Sequence, residues 1–136
     1  MKRLFLAVGL FAATALAPLA AQTTDLQANI PFDFLVGEKL MPAGPYLVHH
    51  SIDGVLSVRQ QEGVHAAAML LTLPASRKSA AKQGGLEFNR YGDMYFLSRI
   101  WLPESKEGRA VFKSAREKEV AINSSSIYSA SIPLRK

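Results

Sequence analysis

The sequence predicts a mainly β domain: an antiparallel meander of about six or seven strands forming a sandwich or partly open barrel, with one C-terminal helix packed on it. Three observations predict it. Turn signals at Gly37-Glu38-Lys39, Pro42-Ala43-Gly44, Asp53-Gly54 and Glu62-Gly63 recur about every ten residues. Apolar residues alternate with polar ones along Leu26, Ala28, Ile30, Phe32, Phe34 and Val36, the period of a half-buried strand. After Gly108 the apolar spacing lengthens to three and four residues, the period of a helix.

The chain opens with a basic pair, Lys2 and Arg3, before a run from Leu4 to Ala17 in which only Thr14 is polar. Pro18 breaks that run, and Ala20-Ala21 precede Gln22 in the manner of a signal-peptidase site. The apolar run is too short for ~30 Å of hydrocarbon, so residues 1–21 read as a cleaved signal peptide, with no transmembrane segment after cleavage. The expected location is periplasmic or extracellular. Residues 22–136 are long enough for a single β-rich domain with an ordinary core.

Within that domain Leu26 to Val36 reads as one long strand, with Pro31 making it an edge or a bulged strand. Tyr46–His50, Val55–Arg59 and Val64–Leu73 follow as strands between the turns. Residues 74–85 (PASRKSAAKQGG) are polar and basic and read as a mobile surface loop. Leu86–Tyr91 and Met94–Trp101 form a hairpin about Gly92-Asp93. Arg109–Ala121 reads as the helix and residues 123–136 as a short strand or loose tail.

Cysteine is absent, which excludes disulfides, thiolate metal sites and a cysteine nucleophile. The formal charge is +5, and +3 once Lys2 and Arg3 are removed. The positive residues are scattered, so nucleic acid is not expected as a partner.

The segments Ala28-Asn29-Ile30-Pro31-Phe32-Asp33-Phe34, Val36-Gly37 and Pro42-Ala43-Gly44-x-Tyr46-x-Val48 form one half of a longer pattern. Phe88-x-Arg90-Tyr91-Gly92-Asp93-x-Tyr95-Phe96-Leu97, Ile100-Trp101 and Ser114-Ala115-Arg116-Glu117 form the other. Together they resemble a family of small exported bacterial proteins of unknown function. The resemblance covers nearly all of residues 22–136 and implies no particular chemistry. Pro45 departs from it, standing where the pattern has a polar residue.

Catalytic motifs are missing: there is no Gly-x-Ser-x-Gly, His-Glu-x-x-His or Gly-x-Gly-x-x-Gly. His49 and His50 are adjacent on a strand, so their side chains take opposite faces and cannot hold one metal together. His65 and Asp53 lie near in sequence, and zinc accepts such ligands, but the three histidines read as surface residues flanking a hairpin. No metal, cofactor or catalytic residue is assigned.

The aromatic hairpin is the one suggestive feature. With a two-residue loop Phe88 faces Leu97, and Leu86, Tyr95 and Trp101 share their side. With a three-residue loop and a bulge, Leu86, Phe88, Phe96 and Ile100 face the core; this arrangement separates apolar from polar better and is preferred. It places Tyr91, Tyr95, Arg99 and Trp101 on the other face as a ligand-binding platform for a glycan, a peptide or a cell-envelope component. The competing arrangement is a helix lying over that face. The expected function is a non-catalytic exported binding or interaction module. A structural or stress-related envelope protein is the alternative, and a small hydrolase using His49 or His50 with a carboxylate is the third reading.

Overall fold

The computed structural model describes residues 25–51, 53–62 and 67–135. The signal-peptide reading and His65 lie outside them. Ten strands and one helix follow one another as β1 (Leu26–Ile30), β2 (Phe34–Val36), β3 (Lys39–Met41), β4 (Gly44–His50), β5 (Val55–Gln60), β6 (Ala67–Ala81), β7 (Gly84–Tyr91), β8 (Met94–Trp101), β9 (Ser105–Val111), α1 (Ala115–Ile122) and β10 (Tyr128–Leu134). The fold is mainly β with one helix, as expected, but carries more strands than the six or seven read from the sequence.

The structure departs from the expected elements in four places. Pro31 does not bulge one long strand; it divides it, so that β1 pairs with β4 while β2 pairs with β3 and, in parallel, with β8. The polar stretch 74–85 is not a loop. Its first half continues β6, because β9 lies alongside Thr72–Ser76 and supplies the ladder. Arg109–Val111 is the end of strand β9, and the helix starts only at Ala115, where the Ser114 hydroxyl accepts the backbone N–H of Glu117 at 3.1 Å. The C-terminal stretch is no loose tail: β10 pairs with β7 along its whole length.

The strands run β1-β4-β5-β6-β9-β8-β2-β3, with β7 on the other edge of β8 and β10 beyond β7. The sheet is not closed. Its ends β1 and β10 meet at a single bridge, where Gln27 and Arg135 exchange backbone hydrogen bonds of 2.6 and 2.8 Å.

One face of this curved sheet holds the core, in which Ile30, Phe34, Tyr46, Leu56, Phe88 and Ile100 are fully buried. Each such side chain contributes roughly 1.5–3 kcal/mol relative to exposure. A smaller cluster of Leu35, Tyr91 and Phe96 lies on the opposite face, packed against Val120 and Ala121 of α1.

The motif segments turn out to staple one another. Asp33 accepts the Ala43 backbone N–H at 2.8 Å, and the Tyr46 hydroxyl donates to the Pro42 carbonyl at 2.6 Å, so the first strand break and the Pro-Ala-Gly turn form one unit. Pro45 sits in β4 opposite Asn29, and its carbonyl accepts from Gln61 N–H at 3.0 Å, so the departure leaves the pairing intact.

Candidate functional site

The hairpin decides the fate of the aromatic platform. Its turn has two residues, Gly92 at φ +61° and Asp93, with Tyr91 opposite Met94 and Phe88 opposite Leu97. The preferred three-residue loop is therefore corrected. A bulge exists, but it lies mid-strand, where the register shifts between Phe88 and Glu87. The extra residue, Ser98, swaps the alternation, so Leu97 and Ile100 both reach the main core while Phe96 joins the cluster under α1.

The four candidate residues consequently do not share one surface. Tyr95 lies on the core side, stacked on Phe32 with ring centres 3.8 Å apart. Tyr91 is 3% exposed under α1, and its hydroxyl donates to Glu117 at 3.1 Å. Trp101 is 9% exposed; it lies across Gly108 with the Arg77 guanidinium 5.2 Å from its ring centre. Only Arg99 is exposed, in a surface ion pair with Glu87 at 3.5 Å. Thus Arg77, which the sequence places in a loop, seals the tryptophan while donating to the Leu102 and Ser105 carbonyls at 2.8–3.2 Å. Trp101 is the only tryptophan. Its emission is expected to be blue-shifted and poorly quenched by acrylamide; red-shifted, readily quenched emission would contradict this burial.

The histidines part as strand geometry requires. His49 faces outward, its Nδ1 3.2 Å from Asp25, which also pairs with Arg59 at 3.0 Å. Ser57, its cross-strand neighbour, lines the same shallow hollow. This places Ser, His and Asp together, but no side-chain hydrogen bond joins Ser57 to His49 among the described residues. Asp53 lines neither this hollow nor the next. Among the described residues no three His, Asp or Glu side chains gather as a metal site.

His50 faces inward at the open end of the sheet. There it lines a hollow of about 340 Å³ with Pro74, Leu102, Glu107, Gly108 and Arg109. Arg109 is fixed: its Nε donates to the Thr72 hydroxyl at 2.8 Å and its Nη2 to the Thr72 carbonyl at 2.7 Å. That hydroxyl in turn donates to the Gly54 carbonyl at 2.6 Å. Gly54 stands at φ +81°, where glycine is favoured, and a Cβ there would also meet the Arg109 guanidinium. Nε2 of His50 is buried without a hydrogen-bond partner among the described residues. Orphaned buried polar atoms are uncommon and mark sites that ask for an explanation.

Burial, the Arg109 charge and neighbouring His49 hold the His50 imidazole below the ordinary histidine value. As pH falls, the unfolded chain therefore binds the His50 proton before the folded chain does. The resulting stability is full above about pH 6.5 and is lost as pH drops from there toward the folded value. Urea midpoints are expected to fall over that window in the native protein and to fall less steeply in His50→Gln. Parallel curves would contradict this assignment.

Sequence reasoning missed this hollow because His50 and Arg109 lie far apart in the chain and on strands that are not neighbours. Only the pairing of β4 with β5, β5 with β6 and β6 with β9 brings them together. No family model matches the chain, and no curated protein or solved structure is similar to it.

Proposed function

We propose that this is an exported, non-catalytic binding module whose ligand enters the open end of its curved sheet. The observation that carries the reading is that one hollow is lined both by Arg109, pinned by Thr72, and by His50, whose Nε2 is buried without a partner among the described residues. Convergent polar groups with an apolar wall, here Pro74 and Leu102, are the usual make-up of a small-molecule site. The basic n-region and apolar run at the start of the chain support export to the periplasm or the cell exterior. In this reading the sheet is a partly open barrel with its seam at the Gln27–Arg135 bridge. A fragment screen by NMR tests the reading: saturable shifts should gather at His50 and Gly108. Shifts confined to Tyr91 and Trp101, or none at all, would overturn it.

One observation favours the envelope alternative. Met69, Leu71, Leu73 and Phe112 are 48–73% exposed on the outer side of β6 and beyond the end of β9. An apolar stripe on a chain of net positive charge fits an anionic bilayer surface. Co-sedimentation with anionic vesicles, lost in Leu71→Glu, is what that role requires. Recovery of all the protein in the supernatant would remove it.

A further inference from the structure

Resting on the binding reading above, we propose that the His50–Arg109 hollow takes its ligand by an oxyanion, a carboxylate or a phosphoryl group on a small, partly apolar molecule.

The first argument is charge. Arg109 is cationic at any physiological pH, and among the described residues no carboxylate lies within ion-pair distance of it. Glu107 lines the same hollow without pairing with Arg109. A cationic ligand would meet an uncompensated guanidinium, whereas an oxyanion would supply the missing counter-charge.

The second argument is preorganisation. Thr72 holds the guanidinium through Nε and Nη2, which leaves Nη1 without a protein partner among the described residues. A guanidinium already held in one orientation loses little freedom when it binds, and its planar fork matches the two oxygens of a carboxylate or phosphate. Gly54, in the β4–β5 turn at φ +81°, leaves the space that the guanidinium occupies, since a Cβ there would meet Arg109 Nη2.

The third argument is the second donor. His50 lines the hollow and its Nε2 is buried without a partner among the described residues, so it is a donor for the same anion once it carries a proton. The groups facing it are Arg109 from β9, Glu107 from the same strand and His49 beside it on β4. Arg109 and a bound oxyanion act on that proton in opposite directions. Pro74 and Leu102 complete the wall with apolar surface, which suits a ligand with a small hydrocarbon body behind its anionic group.

The test is a titration of the purified protein with sodium benzoate, sodium phosphate and neutral benzamide at fixed ionic strength. The His50 ring-proton NMR signal is the readout, assigned by its loss in His50→Gln. The proposal expects a saturable shift with benzoate or with phosphate and none with benzamide; which anion saturates tells carboxylate from phosphoryl recognition. Arg109→Gln should weaken binding roughly tenfold or more, the loss of one charge-assisted contact. Should that variant fail to fold, His50→Phe keeps the Thr72–Arg109 anchor and, read by the amide shift of Gly108 in the same hollow, should weaken the same anion several-fold. A saturable shift with benzamide as strong as with either anion overturns the oxyanion class but leaves the hollow a binding site. Silence toward all three compounds overturns the oxyanion proposal, and only a fragment screen that is also silent at His50 and Gly108 removes the binding reading.

Discussion

Replacing Glu117 by alanine is expected to lower stability by roughly 3 kcal/mol and to free α1 from the sheet. Glu117 is 3% exposed, the one buried residue of the helix. Its carboxylate accepts from Asn89 Nδ2 at 2.9 Å and from the Tyr91 hydroxyl at 3.1 Å, while its backbone N–H is capped by Ser114. Truncation leaves the buried Tyr91 hydroxyl and the half-buried Asn89 amide without an acceptor, and a donor so left costs about 1–3 kcal/mol where water cannot reach it. An eight-residue helix has little stability of its own, so it depends on this anchor and on Val120 and Ala121. Burial and the nearby carboxylate also push the Tyr91 hydroxyl above its ordinary pKa. Glu117→Ala should therefore move the tyrosine titration back down as well as lower the urea midpoint. A double-mutant cycle with Tyr91→Phe isolates the contact; a loss below about 0.5 kcal/mol, as for an ordinary surface substitution, would contradict the anchor.

The second large effect is expected at Gly108. This residue is buried opposite Trp101 in the β8–β9 ladder, and a Cβ there would fall inside contact distance of both the Ile100 carbonyl and the indole ring. The carbonyl is ladder backbone and cannot move away without breaking pairing. Overpacking of this kind costs about 1–3 kcal/mol, occasionally more. Gly108→Ala should therefore lower the melting temperature by roughly 10 °C, given about 4 °C per kcal/mol for a domain of this size. It should also red-shift the Trp101 emission as the ring is pushed from beneath Arg77. Unchanged emission with an unchanged melting temperature would mean that the strands do not pack in this register.

These two residues also mark what could be read in the sequence. The helix, expected from Arg109, starts later at Ala115; the signal that marks its true start is Ser114-x-x-Glu117, the spacing of a capping box, although here the glutamate side chain turns to the hairpin instead of back to the cap. The turns at Gly37-Glu38, Asp53-Gly54 and Gly92-Asp93 were legible because positive φ at glycine leaves a strong compositional trace. The second half of β6 was not. Its alanines, serines and single lysine carry no alternation, and it is a strand because β9 pairs with it and Arg77 clamps it, which are non-local causes.

The candidate site failed to show for the same reason. An alternation argument assumes an unbroken register: the two-residue turn puts Tyr95 on the core side and Phe96 with Tyr91 beneath the helix, and the extra residue at Ser98 then brings Ile100 back to the core beside Leu97. The residues that do converge, His50, Thr72 and Arg109, are separated by strands whose order no local pattern encodes. The motifs that were legible, from Asp33 with Ala43 to Tyr91 with Glu117, hold the fold together.

On the proposed function, the ligand enters at the open end of the sheet and not at the aromatic hairpin. The most direct measurement is a crystal structure of the protein soaked with benzoate or phosphate. The account predicts an anion seated against Arg109 and within hydrogen-bond reach of His50 Nε2. An empty hollow with the anion bound instead beside Trp101 or Arg99 would contradict it.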